Sequence, residues 1–208
     1  MARLLRMRTV PRRRPLALLG ALIPALLLAA CAGLPPPRDA DHHYAGRFSL
    51  SVTRAVAGSD APRRDAWTGR FALQVDGQSL TLDLVSPLGS TIARFETDAR
   101  EARLLVPADG GVRVEHGADA QALSEQVLGW SLPVAGMPDW VEGRPSSARP
   151  YQQLPDDDGK ARFTQDGWSV TIEPTTADRP GRRLEMDRSG QAGAPDVALR
   201  VVLDGPAS

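Results

Sequence analysis

From Ala45 onward the apolar residues of this chain stand at every second position, in short runs divided by turn residues. That period confines most of the chain to strands of a sheet with one buried face. Phe48, Leu50 and Val52 share one face, and Arg47, Ser49 and Ser51 take the other. After a polar link, AVAGSDAPRRDA, a second run puts Phe71, Leu73 and Val75 together. Asp76-Gly77 makes a tight hairpin turn, beyond which Leu80, Leu82 and Leu84 alternate with Thr81, Asp83 and Val85. TIARFET, ARLLVP and GVRVEH continue the meander, with Asp109-Gly110-Gly111 as a further turn.

The period changes once. In ADAQALSEQVLGW, Leu123, Val127 and Trp130 fall at spacings of four and three, which predicts a helix of about three turns ended near Gly129. A second short helix is expected at Gly136 to Glu142, with Met137 and Trp140 on one side and Pro138 in its first turn. Strands return at ARFTQ, WSVTIEP, RRLEMDR and VALRVVL, and the stretches 145–159, 174–181 and 189–196 read as loops. About ten strands surround one helical insert. Their apolar face needs a cover, and a curved antiparallel sheet with helices laid across its opening supplies one. Such a shape either packs solid or encloses a cavity.

The amino terminus is of another kind. Residues 1–15 are rich in arginine, and residues 16–30, LALLGALIPALLLAA, are apolar with a proline inside. That run is short for a membrane span of about 30 Å and has the layout of a secretory signal peptide. Leu28-Ala29-Ala30 then precede Cys31, the single cysteine of the chain, in the arrangement of a bacterial lipobox. The thiol is there to carry a diacylglyceryl thioether, and the small residues before it admit the peptidase. Residues 31–43 read as the lipidated cysteine and a Pro-rich tether, AGLPPPRDAD. Residues 44–208 form the expected folded domain. Ala32 stands where proteobacterial lipoproteins kept in the inner membrane carry Asp, and by resemblance to that sorting rule the chain goes to the outer membrane.

Composition narrows the chemistry. The formal charge is zero over 208 residues, but six arginines and no acid lie in the first 30. Without them 19 basic groups face 25 acids, which speaks against a nucleic-acid partner. One cysteine and three histidines leave little for a disulfide, a metal centre or a catalytic triad. His42 and His43 adjoin the tether and are expected in solvent; His116 has no visible Asp and Ser constellation. Neither a G-x-S-x-G nor a P-loop occurs. Asp156-Asp157-Asp158-Gly159 lacks the remaining spacing of a calcium loop and reads as a solvated turn. No catalytic residue, metal or cofactor is expected.

Several motifs, in order, resemble the LolB family of outer-membrane lipoprotein receptors. Gly129-Trp130-Ser131-Leu132-Pro133-Val134 with Met137, Trp140 and Gly143 is similar to its G-W-x-L-P-V signature, and Ser86-Pro87-Leu88-Gly89-Ser90-Thr91 to its S-P-L-G-x-T loop. Gly46-Arg47-Phe48-Ser49 and Thr68-Gly69-Arg70-Phe71 resemble its first two strands; Gly167-Trp168 and Pro180-Gly181-Arg182-Arg183-Leu184 echo weaker patterns. Two departures stand out: Leu73 occupies a position where the family often has Trp, and no Trp lies near the carboxy terminus.

The resemblance implies a mainly β fold, an unclosed antiparallel barrel of ten or eleven strands around an apolar cavity lidded by short helices. It implies a non-enzymatic activity: acceptance of acylated lipoproteins from the periplasmic carrier LolA and their insertion into the outer membrane. Partners would be LolA, the acyl chains of cargo and outer-membrane lipids, with the protein itself a monomer. The alternative is an assembly or structural lipoprotein that binds a protein and no lipid. Candidates for the acyl cavity are Phe48, Leu50, Phe71, Leu73, Leu82 and Leu84 from the sheet, with Leu123, Val127, Trp130, Leu132 and Trp140 from the lid. The lid residues could equally be the packed side of a helix. Leu88, between Pro87 and Gly89, either folds back onto the core or, as the resemblance implies, touches the membrane. Acyl chains need such handling because each buried methylene is worth about 0.8 kcal/mol.

Overall fold

A computed structural model of the chain describes residues 41–205, apart from residues 59, 177–180 and 191–192. The expected signal peptide, the lipobox Leu28-Ala29-Ala30, Cys31, the tether up to residue 40 and Pro180 lie outside the described residues.

Eleven strands form a single antiparallel sheet: β1 (His42–Arg54), β2 (Arg63–Asp76), β3 (Ser79–Val85), β4 (Thr91–Thr97), β5 (Ala102–Ala108), β6 (Gly111–Gly117), β7 (Tyr151–Asp157), β8 (Lys160–Gln165), β9 (Trp168–Glu173), β10 (Arg183–Arg188) and β11 (Asp196–Leu203). Their spatial order is β6-β5-β4-β3-β2-β1-β11-β10-β9-β8-β7. Two meanders therefore meet where β1 pairs with β11, from Gly46 opposite Leu203 to Thr53 opposite Asp196. The edge strands β6 and β7 do not pair with each other, so the barrel is unclosed.

Two short helices, α1 (Ala120–Leu128) and α2 (Met137–Val141), interrupt the strands between β6 and β7. Asp119 caps α1, its Oδ1 accepting from Ala122 N at 2.8 Å. Gly129, at φ 76°, ends the helix in the left-handed conformation that glycine adopts without strain. Trp130 thus falls just past the helix rather than on it.

The alternation does what the sequence requires. Val52, Leu73, Phe95, Leu104, Phe163, Val170, Leu184 and Met186 are wholly buried on the inner face. β1 and β2 bear one further feature: Gly46 lies opposite Phe71 and Phe48 opposite Gly69. Each phenylalanine ring covers a bare glycine on the neighbouring strand.

Three boundaries differ from expectation. β1 begins at His42, inside the stretch expected as tether, with His42 and His43 paired to β2 but exposed. The link between β1 and β2 is shorter than AVAGSDAPRRDA, since its last four residues already belong to β2. Residues 151–157, expected as loop, form β7. YQQLPDD has no apolar alternation and contains Pro155. As an edge strand it pairs only with β8, and its register breaks between Leu154 and Asp157, where a missing N–H is tolerated. Asp158 (φ 47°) and Gly159 (φ 78°) make the following turn.

Candidate functional site

Between the sheet and the segment joining α1 to α2 lies an apolar slot. Its floor is Phe48 and Leu50 on β1, Phe71 on β2, Leu82 and Leu84 on β3, and Leu199 and Val201 on β11. Leu132, Pro133, Val134 and Met137 roof it. Its free volume is only about 30 Å³. That is room for a water or two, each needing about 10–15 Å³ of such space, and not for an alkyl chain, so admitting one requires the roof to lift or the unclosed sheet to widen.

Directional bonds hold the roof in place. Ser124 Oγ accepts from Leu132 N at 2.9 Å and donates to Gln121 O at 2.8 Å, tying the roof's first residue to α1. Gln165, nearly wholly buried on β8, is a hub: its Oε1 accepts from Trp140 Nε1 (2.8 Å) and Ser146 N (2.9 Å), and its Nε2 donates to Ser146 O and Arg149 O. Trp140 also meets Phe163 edge-on, ring centres 6.0 Å apart. Arg182 Nη1 donates to Val141 O, the end of α2, at 2.6 Å.

Tyr44 on β1 donates its phenolic hydrogen to Glu142 Oε1 at 2.6 Å, just beyond α2. Burial, then the hydrogen bond and the negative charge of Glu142, push the Tyr44 pKa up to about 12. The same bond, with that of Arg144, holds the Glu142 carboxyl below its ordinary value. The pair is a polar latch between the sheet and the roof.

Of the expected cavity residues, Phe48, Leu50, Phe71, Leu82, Leu84 and Leu132 come together on the slot. Leu73, Leu123, Val127, Trp130 and Trp140 stand off it. α1 packs over β4, β5 and β6 rather than over the slot, which buries Leu123 and half-buries Val127 there. Trp140 is fixed against Phe163 and Gln165, and Trp130 lines a polar cleft with Asp166 and Arg188. Sequence reasoning passed over Pro133, Val134, Met137, Leu199 and Val201. The alternation in VALRVVL carried a signal for the last two, but only the register, with Leu199 opposite Leu50 and Val201 opposite Phe48, brings them to the site.

Leu88 is 96% exposed. Gly89 N donates to Ser86 O at 3.0 Å with Pro87 and Leu88 at the corners, Gly89 has φ 88°, and Ser86 N donates to Ser90 O at 2.8 Å. This is a three-residue hairpin loop of the type I turn plus glycine bulge kind. It is short and internally bonded, so it holds the leucine outward; Leu88 does not fold back onto the core.

Comparison with known proteins adds a further finding. The family model described as outer membrane lipoprotein LolB matches residues 42–205. An outer-membrane lipoprotein LolB of Cupriavidus pinatubonensis is 37% identical, covering 95% of this chain and 98% of its own. The proteins of that name from Ralstonia nicotianae (32% identical, 89% and 96% covered) and Bordetella pertussis (36% identical, 86% and 88% covered) are similar along most of their length as well.

Proposed function

The chain belongs to the LolB family of outer-membrane lipoproteins, and from that premise we propose that it takes acylated lipoproteins from the carrier LolA into its apolar slot and passes them into the outer membrane. The observation that carries this reading is the slot itself: every lining side chain is apolar, and it lies in a sheet with two free edges. An acyl chain meets no polar group there that would lose a hydrogen bond on contact. The closed state leaves the empty protein little exposed apolar surface in the slot, and the latch and hub bonds define what must give way when cargo enters.

The relay needs no nucleotide if each acceptor holds the chains more tightly than the last. About 0.8 kcal/mol per methylene makes small differences in burial decisive, and the bilayer is the final sink. The protein is held at the outer membrane by its own lipid. Cys31 is the residue that would carry it, after cleavage behind Leu28-Ala29-Ala30, and residues 1–30 would be the discarded signal peptide. The slot and the Leu88 loop belong to one chain, which supports a monomer as the working unit.

The test is a transfer assay. The mature protein in liposomes is mixed with LolA loaded with a radiolabelled lipoprotein, and the cargo is followed by flotation. Cargo should leave the carrier and float with the vesicles only when the protein is present. If it stays on the carrier, an assembly role without lipid transfer replaces this reading.

A further inference from the structure

The exposed large apolar residues of the described sheet are not scattered. They are Val56, Trp67, Leu88, Val112, Val114 and Tyr151. Val56 lies in the β1–β2 connection, Leu88 in the β3–β4 loop, Val112 directly after the β5–β6 turn, and Tyr151 at the first position of β7. All four are at one end of the antiparallel sheet, as the pairings Arg54 with Arg63, Val85 with Thr91, Ala108 with Gly111 and Tyr151 with Gln165 require.

Trp67 belongs to the same end. β2 runs on past β3, whose last partner is Val85 opposite Arg70, and Trp67 lies three residues further along the overhang. Three residues of strand advance roughly 10 Å, about the reach of the Ser86–Ser90 loop beside it. Val114 alone stands at mid-strand. The opposite rim, with the turns at Gly77-Gln78, Asp98–Glu101 and Asp158-Gly159, shows no exposed large apolar side chain among the described residues.

Single exposed hydrophobic residues are ordinary; their segregation to one rim is not. Trp67 is the informative member. It is 42% exposed and faces Leu50, a slot residue, across the β1–β2 ladder. It therefore stands between the slot and the rim. Tryptophan, with an apolar ring and one N–H donor, favours the interface between headgroups and acyl chains. Arg54, Arg63 and Arg64 lie three to four positions further out on the same two strands, with Asp65 bonded to Arg54 and Arg63 and Asp60 in the connection; three arginines against two acids favour anionic headgroups.

We propose that this whole rim, carrying Val56, Trp67, Leu88, Val112 and Tyr151, rests on a phospholipid surface, with Trp67 as its interfacial anchor and the step between slot and bilayer. The inference rests on the transfer role given above but reaches beyond Leu88. It assigns the orientation of the sheet on the membrane and the end through which cargo leaves.

The other three tryptophans, Trp130, Trp140 and Trp168, are buried; they fluoresce too, but the protein shields them from a contact quencher in the bilayer, so the loss of fluorescence on bromination reads Trp67. The mature lipidated protein is placed in vesicles of phosphatidylethanolamine and phosphatidylglycerol with plain or brominated acyl chains. Bromine should quench the wild type, and Trp67→Phe should lose most of that quenching. In the Trp67→Phe background, Val112→Trp should restore it and Gln78→Trp, on the opposite rim, should not. Quenching unchanged by Trp67→Phe, absent from Val112→Trp, or equal at both rims overturns the proposal. Cargo transfer is measured on the same vesicles: transfer without quenching removes the rim contact alone, and quenching without transfer removes the transfer role while the rim contact stands.

Discussion

Phe71 on β2 lies directly across from Gly46 on β1, its ring edge 2.8 Å from where a Cβ on Gly46 would stand. The relationship is reciprocal, for Phe48 covers Gly69 in the same way at 2.9 Å. Both strands read Gly-Arg-Phe, and antiparallel pairing turns that repeat into two crossed glycine–phenylalanine pairs in the slot floor.

A Cβ at Gly69 would stand 2.2 Å from Val85 O, a backbone atom that moves only with its strand. Gly69→Ala should therefore destabilise the domain by about 1–3 kcal/mol, the range for overpacking a tight site. Urea unfolding of the variant measures it. A midpoint unchanged from wild type would mean that β3 shifts without cost.

The Gly-Arg-Phe repeats show how much was legible. Alternation located ten of the strands, and the change of period located both helices, because each buried face imposes its spacing on local sequence. β7 was not legible, since an edge strand paired on one side needs no alternation and tolerates Pro155. For the slot, alternation picked out the lining residues on β1 to β3 but also Leu73, which shares their face and stands off the slot. Trp140 was misplaced because its apolar ring looks like lining, while its N–H is spent on Gln165, 25 residues away. Periodicity carries no information about such a partner, nor about the register that sets Leu199 beside Leu50.

Trp140 and Trp168 are both fully buried, yet their indole N–H groups differ: one donates to Gln165, and Trp168 Nε1 has no partner. Replacing Trp140 by Phe discards a hydrogen bond worth about 0.5–1.5 kcal/mol net, whereas replacing Trp168 removes a buried unsatisfied donor costing about 1–3 kcal/mol. Trp140→Phe should then be the more destabilising by on the order of 2 kcal/mol, beyond the similar loss of ring volume. Thermal or urea denaturation of the two variants side by side decides it, and equal losses would argue against the difference.

The Tyr44–Glu142 latch makes stability depend on alkaline pH. Tyr44 has its folded pKa raised from 10.0 to about 12. Its contribution is thus complete below pH 10 and fades as pH rises toward 12, because the unfolded chain gives up the proton first. Glu142, held low, contributes above its ordinary value and loses its contribution as pH falls through the depressed one. In a Tyr151→Phe protein, absorbance at 295 nm should place the Tyr44 transition near pH 12, and Glu142→Gln should lower it. A transition near 10 in the folded protein would show the latch open in solution.

Leu82 tests the slot as a binding site. It is 5% exposed on the floor and sits opposite Phe95 and Leu73 on its neighbouring strands. A carboxylate there has no partner among those apolar neighbours, and burying a charge unpaired costs several kcal/mol. Leu82→Glu should abolish uptake of an apolar fluorescent dye and of cargo, with near-ultraviolet circular dichroism confirming the fold. A folded variant that binds dye as the wild type does would place the acyl site elsewhere.

Leu88 separates receiving from delivering. Its loop is closed by its own backbone bonds, Ser86 to Ser90 and Gly89 to Ser86, and none of those bonds uses the leucine side chain. At 96% exposure the side chain also buries nothing that folding depends on. Leu88→Glu should accordingly leave the unfolding midpoint within about 0.5 kcal/mol of wild type, as surface substitutions do, and should leave transfer from LolA in solution intact, since Leu88 does not line the slot. Entry into a bilayer is another matter: full burial of a leucine is worth roughly 1.5–3 kcal/mol, and a carboxylate in its place resists the same step. Delivery from the loaded protein into liposomes should therefore fall by tenfold or more, at about 1.4 kcal/mol per factor of ten. The two steps are measured on one preparation, first carrier to receptor, then receptor to vesicle. If both rates fall together, or neither does, the exposed leucine is not the residue that opens the way into the membrane.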